Sequence, residues 1–476
     1  MARIASATCL KTAQQCLSVS ANLRSFRIAT CGAVRQLSLA VMTERTPPAI
    51  LVAIVAMYLT CGHVLRADAD VPNQTKKGSS TTDATISSLN LPDPLIMNDG
   101  QPVKTVAQWR ICREEMKKIL LENFIGEMPP MPGNVEGAVT ASTPVLGGKV
   151  VVRQIDLKFG PDQKLTLKIA IFTPVGAGPF PTFVQPNFFE TPHFPDKATE
   201  AANPTPTPAQ DANQRRFAEW RRRMTDPDAL ALADKDLFDR GYALATYGYT
   251  QSAIDNPTQH STGYFLAYPN MTWGGLGVFA WTMSRCVDYL ETLPYLDHSK
   301  LIDSRLGKTA LIAGAIDERF ALVAPVGSGC AGTGLFRING AAREGMEGLE
   351  EYVRSFPYHV SPKLPQYAGH ADSLPFDQHW MIALVAPRPL ISAEGLSDQY
   401  CNGKASKASY YASLQVYKFL NAEDNLGINY RPGTHAYTPD DWRAILDFAD
   451  SRLLGKPVSR RFDQVPPDDQ LEYRII

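Results

Sequence analysis

Ser304-Arg305-Leu306-Gly307-Lys308-Thr309-Ala310-Leu311-Ile312-Ala313-Gly314-Ala315, running on through Ala321-Leu322-Val323-Ala324-Pro325 to Val326-Gly327-Ser328-Gly329, is the stretch on which the fold turns. A serine stands at the head of an apolar helical run at 308–315. A short β-rich run follows at 321–325, and then a Gly-Ser-Gly turn. A serine so placed is an ordinary helix N-cap or, in a strand-to-helix turn, a nucleophile whose hydroxyl projects from the sheet beside a helix N-terminus. The local pattern leaves both readings open.

Working outward, the same alternation recurs. A buried-strand pattern at 242–249 precedes a helix at about 275–293, a further strand is expected at 390–393, and a helix at 440–454 closes the chain. Single apolar runs separated by helices imply parallel strands joined by right-handed crossovers. The expected fold is therefore α/β, a doubly wound, mostly parallel sheet with helices on both faces. Before it, 150–157, 165–172 and 181–184 read as opening strands, and 109–124 as an amphipathic helix closed by Gly126 and Pro129.

The chain of 476 residues is 44% hydrophobic and 20% charged, with a net charge of -1. These values suit one large globular domain and give no footing for nucleic acid or an anionic membrane. Cys9, Cys16, Cys31 and Cys61 lie ahead of the folded part, and Cys112, Cys286, Cys330 and Cys401 are too sparse for a disulfide framework. The apolar run 49–59 is too short to span a bilayer, and Ala67-Asp68-Ala69 offers a signal-peptidase site before Asp70. Residues 1–69 are thus expected to be a targeting region, with Met42 a possible true start, and 70–90 a polar linker. A single domain is expected over 91–476, with a surface insertion near 199–237 rich in Ala, Pro, Thr and charge. Location would be secreted or periplasmic, without stable membrane insertion after cleavage, and the expected state is a monomer.

His435, in Arg431-Pro432-Gly433-Thr434-His435, lies late in the chain after a turn and before a helix. That is where the base of an α/β-hydrolase belongs in the order Ser, acid, His. His379, in Asp377-Gln378-His379-Trp380, opens the element leading to Ala386-Pro387-Arg388 and reads as structural. Arg305 and Lys308 sit against the helix dipole, an unfavourable placement that invites a functional reason. No histidine-carboxylate cluster at ligand spacing is visible, so neither metal nor cofactor is expected.

The block 304–332 resembles the nucleophile region of the glucuronoyl esterases, carbohydrate esterases that cleave esters of 4-O-methylglucuronic acid on xylan. The likeness extends to 273–293, to Leu374-Pro375-Phe376-Asp377-Gln378-His379 with Ala386-Pro387-Arg388-Pro389, and to Tyr430-Arg431-Pro432-Gly433-Thr434-His435 with Trp442. It implies an α/β-hydrolase fold and a serine esterase working through an acyl-enzyme on uronic-acid polysaccharide esters. Ser304 would be the nucleophile and His435 the base; Arg305 would stabilise the oxyanion and Lys308 would bind sugar hydroxyls. Fungal members carry a glutamate just before the Ser-Gly turn, where this chain has Gly327. Many bacterial members place an acid after the penultimate strand in an Asp-x-Trp-x-Asp/Asn pattern. Asp398-Gln399-Tyr400-Cys401-Asn402 resembles that pattern, making Asp398 the expected acid and Tyr400 a sugar contact, with Glu394 the alternative acid.

One departure stands out: the strand leading into Ser304 is several residues short, and Ile302 stands where the turn wants glycine. Either 296–302 is redrawn into the strand or the site is distorted. An acetyl-sugar esterase and a catalytically impaired carbohydrate-binding hydrolase therefore remain alternatives.

Overall fold

The structure, a computed structural model, describes residues 88–188, 236–258, 261–338, 348–398 and 400–471. The expected targeting region, nearly all of the linker and nearly all of the 199–237 insertion lie outside the described residues. Among those described, no helix is long and apolar enough to cross a membrane.

Nine strands form one sheet: β1 (Glu136–Val145), β2 (Val150–Phe159), β3 (Leu165–Pro174), β4 (Phe180–Asn187), β5 (Ala243–Gly248), β6 (Leu296–Ser304), β7 (Phe320–Ala324), β8 (Leu390–Gly395) and β9 (Leu426–Arg431). Their spatial order is β1-β2-β3-β5-β4-β6-β7-β8-β9. The pairs from β1 to β5 are antiparallel. Every pair from β5 through β4 to β9 is parallel. This is the expected mostly parallel α/β-hydrolase sheet, with an antiparallel margin at one side.

The principal helices are α1 (Val106–Leu120), α2 (Gly275–Leu290), α3 (Gly307–Ile316), α4 (Leu349–Ser355), α5 (His379–Val385), α6 (Gly403–Phe419) and α7 (Pro439–Leu454). Successive residues of the central strands face opposite layers, which is why their sequence reads as unbroken apolar runs. Leu301 and Val323 join the core built with Met283, Leu311 and Met381 of α2, α3 and α5. Ile302, Leu322 and Ala324 join the opposite core with Trp442, Ile445 and Phe448 of α7.

Of the two alternatives that the sequence left open, β6 follows the first: 296–302 are drawn into the strand, which ends at Ser304. Nine residues are in the strand, but only Leu301–Asp303 pair in regular register with Thr182–Val184 of β4, and only Ile302–Ser304 with Leu322–Ala324 of β7, whose ladder shifts between Leu301 and Ile302. Between the pairs Phe180–Leu296 and Thr182–Leu301 the extra residues of β6 bulge outward. Asp297 holds the bulge together: its Oδ1 accepts the Ser299 N–H at 3.0 Å and its Oδ2 accepts from Lys300 Nζ at 2.6 Å. The chain thus recruits residues upstream of the expected strand to bring Ser304 to the sheet's C-terminal edge.

β1, β9 and α6 were not legible in the sequence. β1 is exposed along nearly its whole length and so lacks an apolar alternation. The buried face of α6 is largely Ala, Ser and Lys407, which gives little apolar contrast.

Candidate active site

The candidate residues gather at the C-terminal ends of β6, β7, β8 and β9, where the loops of a parallel sheet converge. Arg431, the last residue of β9, shapes the turn that follows. Its guanidinium pairs with Asp441 at 2.7 Å and donates to the carbonyls of Pro432 at 3.2 Å, Thr434 at 3.1 Å and Ala436. Four acceptors around one planar fork lock the backbone on both sides of His435. The neighbouring loop after β8 is laced to it: Leu396 N–H donates to the Arg431 carbonyl at 2.8 Å and Ser397 N–H to that of Gly433 at 3.0 Å.

That lacing brings Asp398 and His435 together. Asp398 Oδ2 lies 2.7 Å from His435 Nδ1, and Oδ1 accepts the N–H groups of Tyr400 and Cys401, each at 2.9 Å. Burial pushes the Asp398 carboxyl up, but the hydrogen bond and charge of His435, helped by those two N–H groups, outweigh it and hold it below the usual carboxylate range. An ionised Asp398 favours the imidazole tautomer with its proton on Nδ1, which leaves Nε2 as an acceptor. Among the described residues Nε2 makes no hydrogen bond. Tyr400 packs edge-on against the His435 ring, centroids 5.4 Å apart.

Glu394, the alternative acid, does not bond His435. It is buried in β8 and accepts from Ser392 at 2.6 Å and Thr333 at 3.0 Å. Burial and the nearby Asp398 charge raise its pKa to about 7, against the opposing hydrogen bonds of Ser392 and Thr333. Gly327, at φ +50°, faces the pair instead of a carboxylate; a Cβ there would sit 3.2 Å from His435 Cε1.

Ser304 ends β6 and is fully buried. Its Oγ lies 3.4 Å from the Tyr437 hydroxyl, and no hydrogen bond to His435 closes. The sharp turn falls on the next two residues, Arg305 at φ 66° and Leu306 at φ 47°, rather than on the serine as expected. Neither is glycine, so the turn carries backbone strain. Arg305 is buried between Phe188 and Tyr437, its guanidinium 5.9 and 5.6 Å from their rings. Lys308 Nζ lies 5.4 Å from the Tyr352 ring, whose hydroxyl is 2.9 Å from His359 Nδ1.

His379 stands apart, its Nε2 2.9 Å from the Pro92 carbonyl. Two residues were missed in the sequence. Tyr437 carries no motif, and its place over Ser304 depends on how the Arg431 turn folds. Cys401 lies 3.6 Å from His435 Nδ1, and with Asp398 and His435 it forms a group whose ligand atoms all fall within 4.8 Å of one another. The sequence shows no histidine-carboxylate cluster at ligand spacing because linear spacing cannot show residues of two different loops meeting.

Comparison with known proteins gives a consistent result. Residues 229–421 match the family model for fungal glucuronyl esterase, a span that includes Ser304 and Asp398 and stops short of His435. A carbohydrate esterase from an unknown prokaryotic organism is 28% identical over 420 residues, 82% of this chain and 95% of that protein. The 4-O-methyl-glucuronoyl methylesterase of Schizophyllum commune is 26% identical over 416 residues, covering 83% and 91%. Among solved structures, a promiscuous CE15 esterase from the marine bacterial metagenome superposes with TM-score 0.62 at 27% identity, covering 76% of this chain and 96% of that one.

Proposed function

From its kinship with the glucuronoyl esterases, a carboxylic-ester hydrolase family, we propose that this chain hydrolyses esters of (4-O-methyl)glucuronic acid in xylan-type polysaccharide outside the cell or in the periplasm. The observation that carries the reading is the Asp398–His435 pair at 2.7 Å, set at the C-terminal edge of the sheet beside the end of β6. In this reading His435 Nε2 takes the proton of Ser304 as the hydroxyl attacks the ester carbonyl, then returns it to the leaving alcohol. Water repeats the cycle to release the uronate. Asp398 stabilises the imidazolium, Arg305 faces the developing oxyanion, and Lys308 with Tyr400 contacts the sugar. The Ser304 hydroxyl must turn from Tyr437 toward His435 for this to occur.

A second reading, a hydrolase fold that binds uronate esters without turning them over, is favoured by the burial of Ser304 and its contact with Tyr437. Hydrolysis of benzyl glucuronate by the purified protein separates the two. Turnover that is lost in both Ser304→Ala and His435→Ala supports the esterase. Binding of methyl 4-O-methylglucuronate without turnover supports the binder. Faster release of acetate from acetylated xylan than of uronate would assign acetyl sugars as the substrate class instead.

A further inference from the structure

Cys401 has no part in the proposed hydrolysis, yet it is held against the histidine of the pair. Asp398 and Cys401 are three residues apart, and the turn between them is closed on the Asp398 side chain, whose Oδ1 receives the Cys401 N–H at 2.9 Å. This fixes Oδ2 toward His435 Nδ1 at 2.7 Å and brings Sγ within 3.6 Å of the same nitrogen. Two glycines of the turn after β7 make the space. Gly327 and Gly329 both have positive φ, and a Cβ on Gly329 would lie 2.9 Å from Cys401 Sγ.

We propose that Asp398, Cys401 and His435 form an inhibitory site for a thiophilic divalent cation such as Zn²⁺. One carboxylate oxygen, one thiolate and one imidazole nitrogen are a donor set that Zn²⁺ accepts, with the fourth position left to solvent. Zinc bonds of ~2.3 Å to sulfur and ~2.0–2.2 Å to nitrogen and oxygen put tetrahedral ligands roughly 3.3–3.7 Å apart. The Sγ–Nδ1 spacing of 3.6 Å already meets that, the Oδ2–Nδ1 pair at 2.7 Å has to open by roughly 0.6 Å, and with all three ligand atoms within 4.8 Å of one another the Sγ–carboxylate pair has at most roughly 1 Å to close. The way in lies past the His435 side chain, which is 22% exposed while that of Asp398 is 3% exposed.

Binding releases one proton, from the Cys401 thiol. The proton on His435 Nδ1 moves to Nε2, so the ring stays neutral and the metal takes the Nδ1 lone pair. The consequence for catalysis rests on the proposed esterase reading: with Nε2 protonated and Asp398 engaged, no base remains for the serine proton. The site itself does not depend on that reading.

The test is therefore made first without substrate, on the full-length chain. Co²⁺ added to the metal-free protein should give a thiolate-to-cobalt charge-transfer band in the near ultraviolet, displaced by Zn²⁺ and absent in Cys401→Ser. Calorimetric titration with Zn²⁺ should lose at least a tenfold stronger binding phase in both Cys401→Ser and Cys401→Ala. Equal spectra and affinities in wild type and both variants would overturn the proposal, whatever the esterase assay shows. If the protein hydrolyses benzyl glucuronate, Zn²⁺ should inhibit it and a chelator restore it. Inhibition that persists unchanged in Cys401→Ser would likewise overturn the proposal. A protein that binds Zn²⁺ through Cys401 but hydrolyses no ester would leave the metal site standing and remove the esterase reading alone.

Discussion

Ser304 Oγ and the Tyr437 hydroxyl lie 3.4 Å apart at the buried end of β6, so the proposed nucleophile is held by a residue that follows the proposed base by two positions. A contact present before reaction and broken during it stabilises the ground state at the expense of turnover. Tyr437→Phe is therefore expected to raise kcat on benzyl glucuronate by roughly two- to fivefold while lowering stability by about 1 kcal/mol, the worth of one hydrogen bond. Steady-state kinetics and urea unfolding check it. A tenfold fall in kcat would show instead that Tyr437 assists the reaction.

The two acids of the β8 edge should behave oppositely toward activity. Asp398→Asn removes the charge that holds the His435 tautomer and should lower kcat by about 10³- to 10⁴-fold. Glu394→Gln should stay within about threefold of wild type, since its carboxylate faces Ser392 and Thr333 rather than the imidazole. The reverse result would transfer the acid role to Glu394.

Arg305 and Lys308 are expected to act on different kinetic quantities. Arg305→Ala should mainly lower kcat, by about a hundredfold for one oxyanion contact, and Lys308→Ala should mainly raise KM. Comparison of both variants on a uronate ester and an acetylated sugar checks the substrate class as well. A Lys308 effect equal on both substrates would sink its assignment to the sugar.

Two buried groups should tilt stability in opposite directions with pH. Burial, with the Arg337 charge adding and the Pro92 carbonyl opposing, depresses His379 to about 4 from an ordinary value of 6.5. The unfolded chain then binds the extra proton, so stability contributed above the ordinary value is lost as pH falls toward 4, by roughly 3 kcal/mol. Glu394 is raised from 4.5 to about 7, so its contribution is present below 4.5 and lost as pH rises through 7. Urea unfolding at about pH 4 and about pH 8 should show His379→Gln removing the acid-side loss and Glu394→Gln the alkaline-side loss. Parallel shifts at both pH values would contradict these assignments.

How much of this was legible in the residues follows from the range of the interactions. The doubly wound sheet could be read because strands buried on both faces must be apolar throughout and the helices between them must show one apolar stripe, both properties of neighbours along the chain. Ser304, Asp398 and His435 could be singled out as candidates from motifs and their order, and Asp398 and His435 do meet in the structure. What lay beyond reach depends on contacts between distant segments. The length of β6 is decided by pairing with β4, which draws in Leu296 opposite Phe180 and leaves 297–300 as a bulge before Leu301 pairs with Thr182. The turn lands on Arg305 and Leu306 instead of the serine because Ser304 is the last residue paired to β7. The meeting of Cys401 with His435, and of Tyr437 with Ser304, is set by the Arg431 clamp that joins two loops thirty-odd residues apart. Local sequence determines which elements form and which side chains are candidates for chemistry; only tertiary pairing decides which of those side chains touch, because hydrogen-bond reach is a matter of ångströms that chain spacing does not encode.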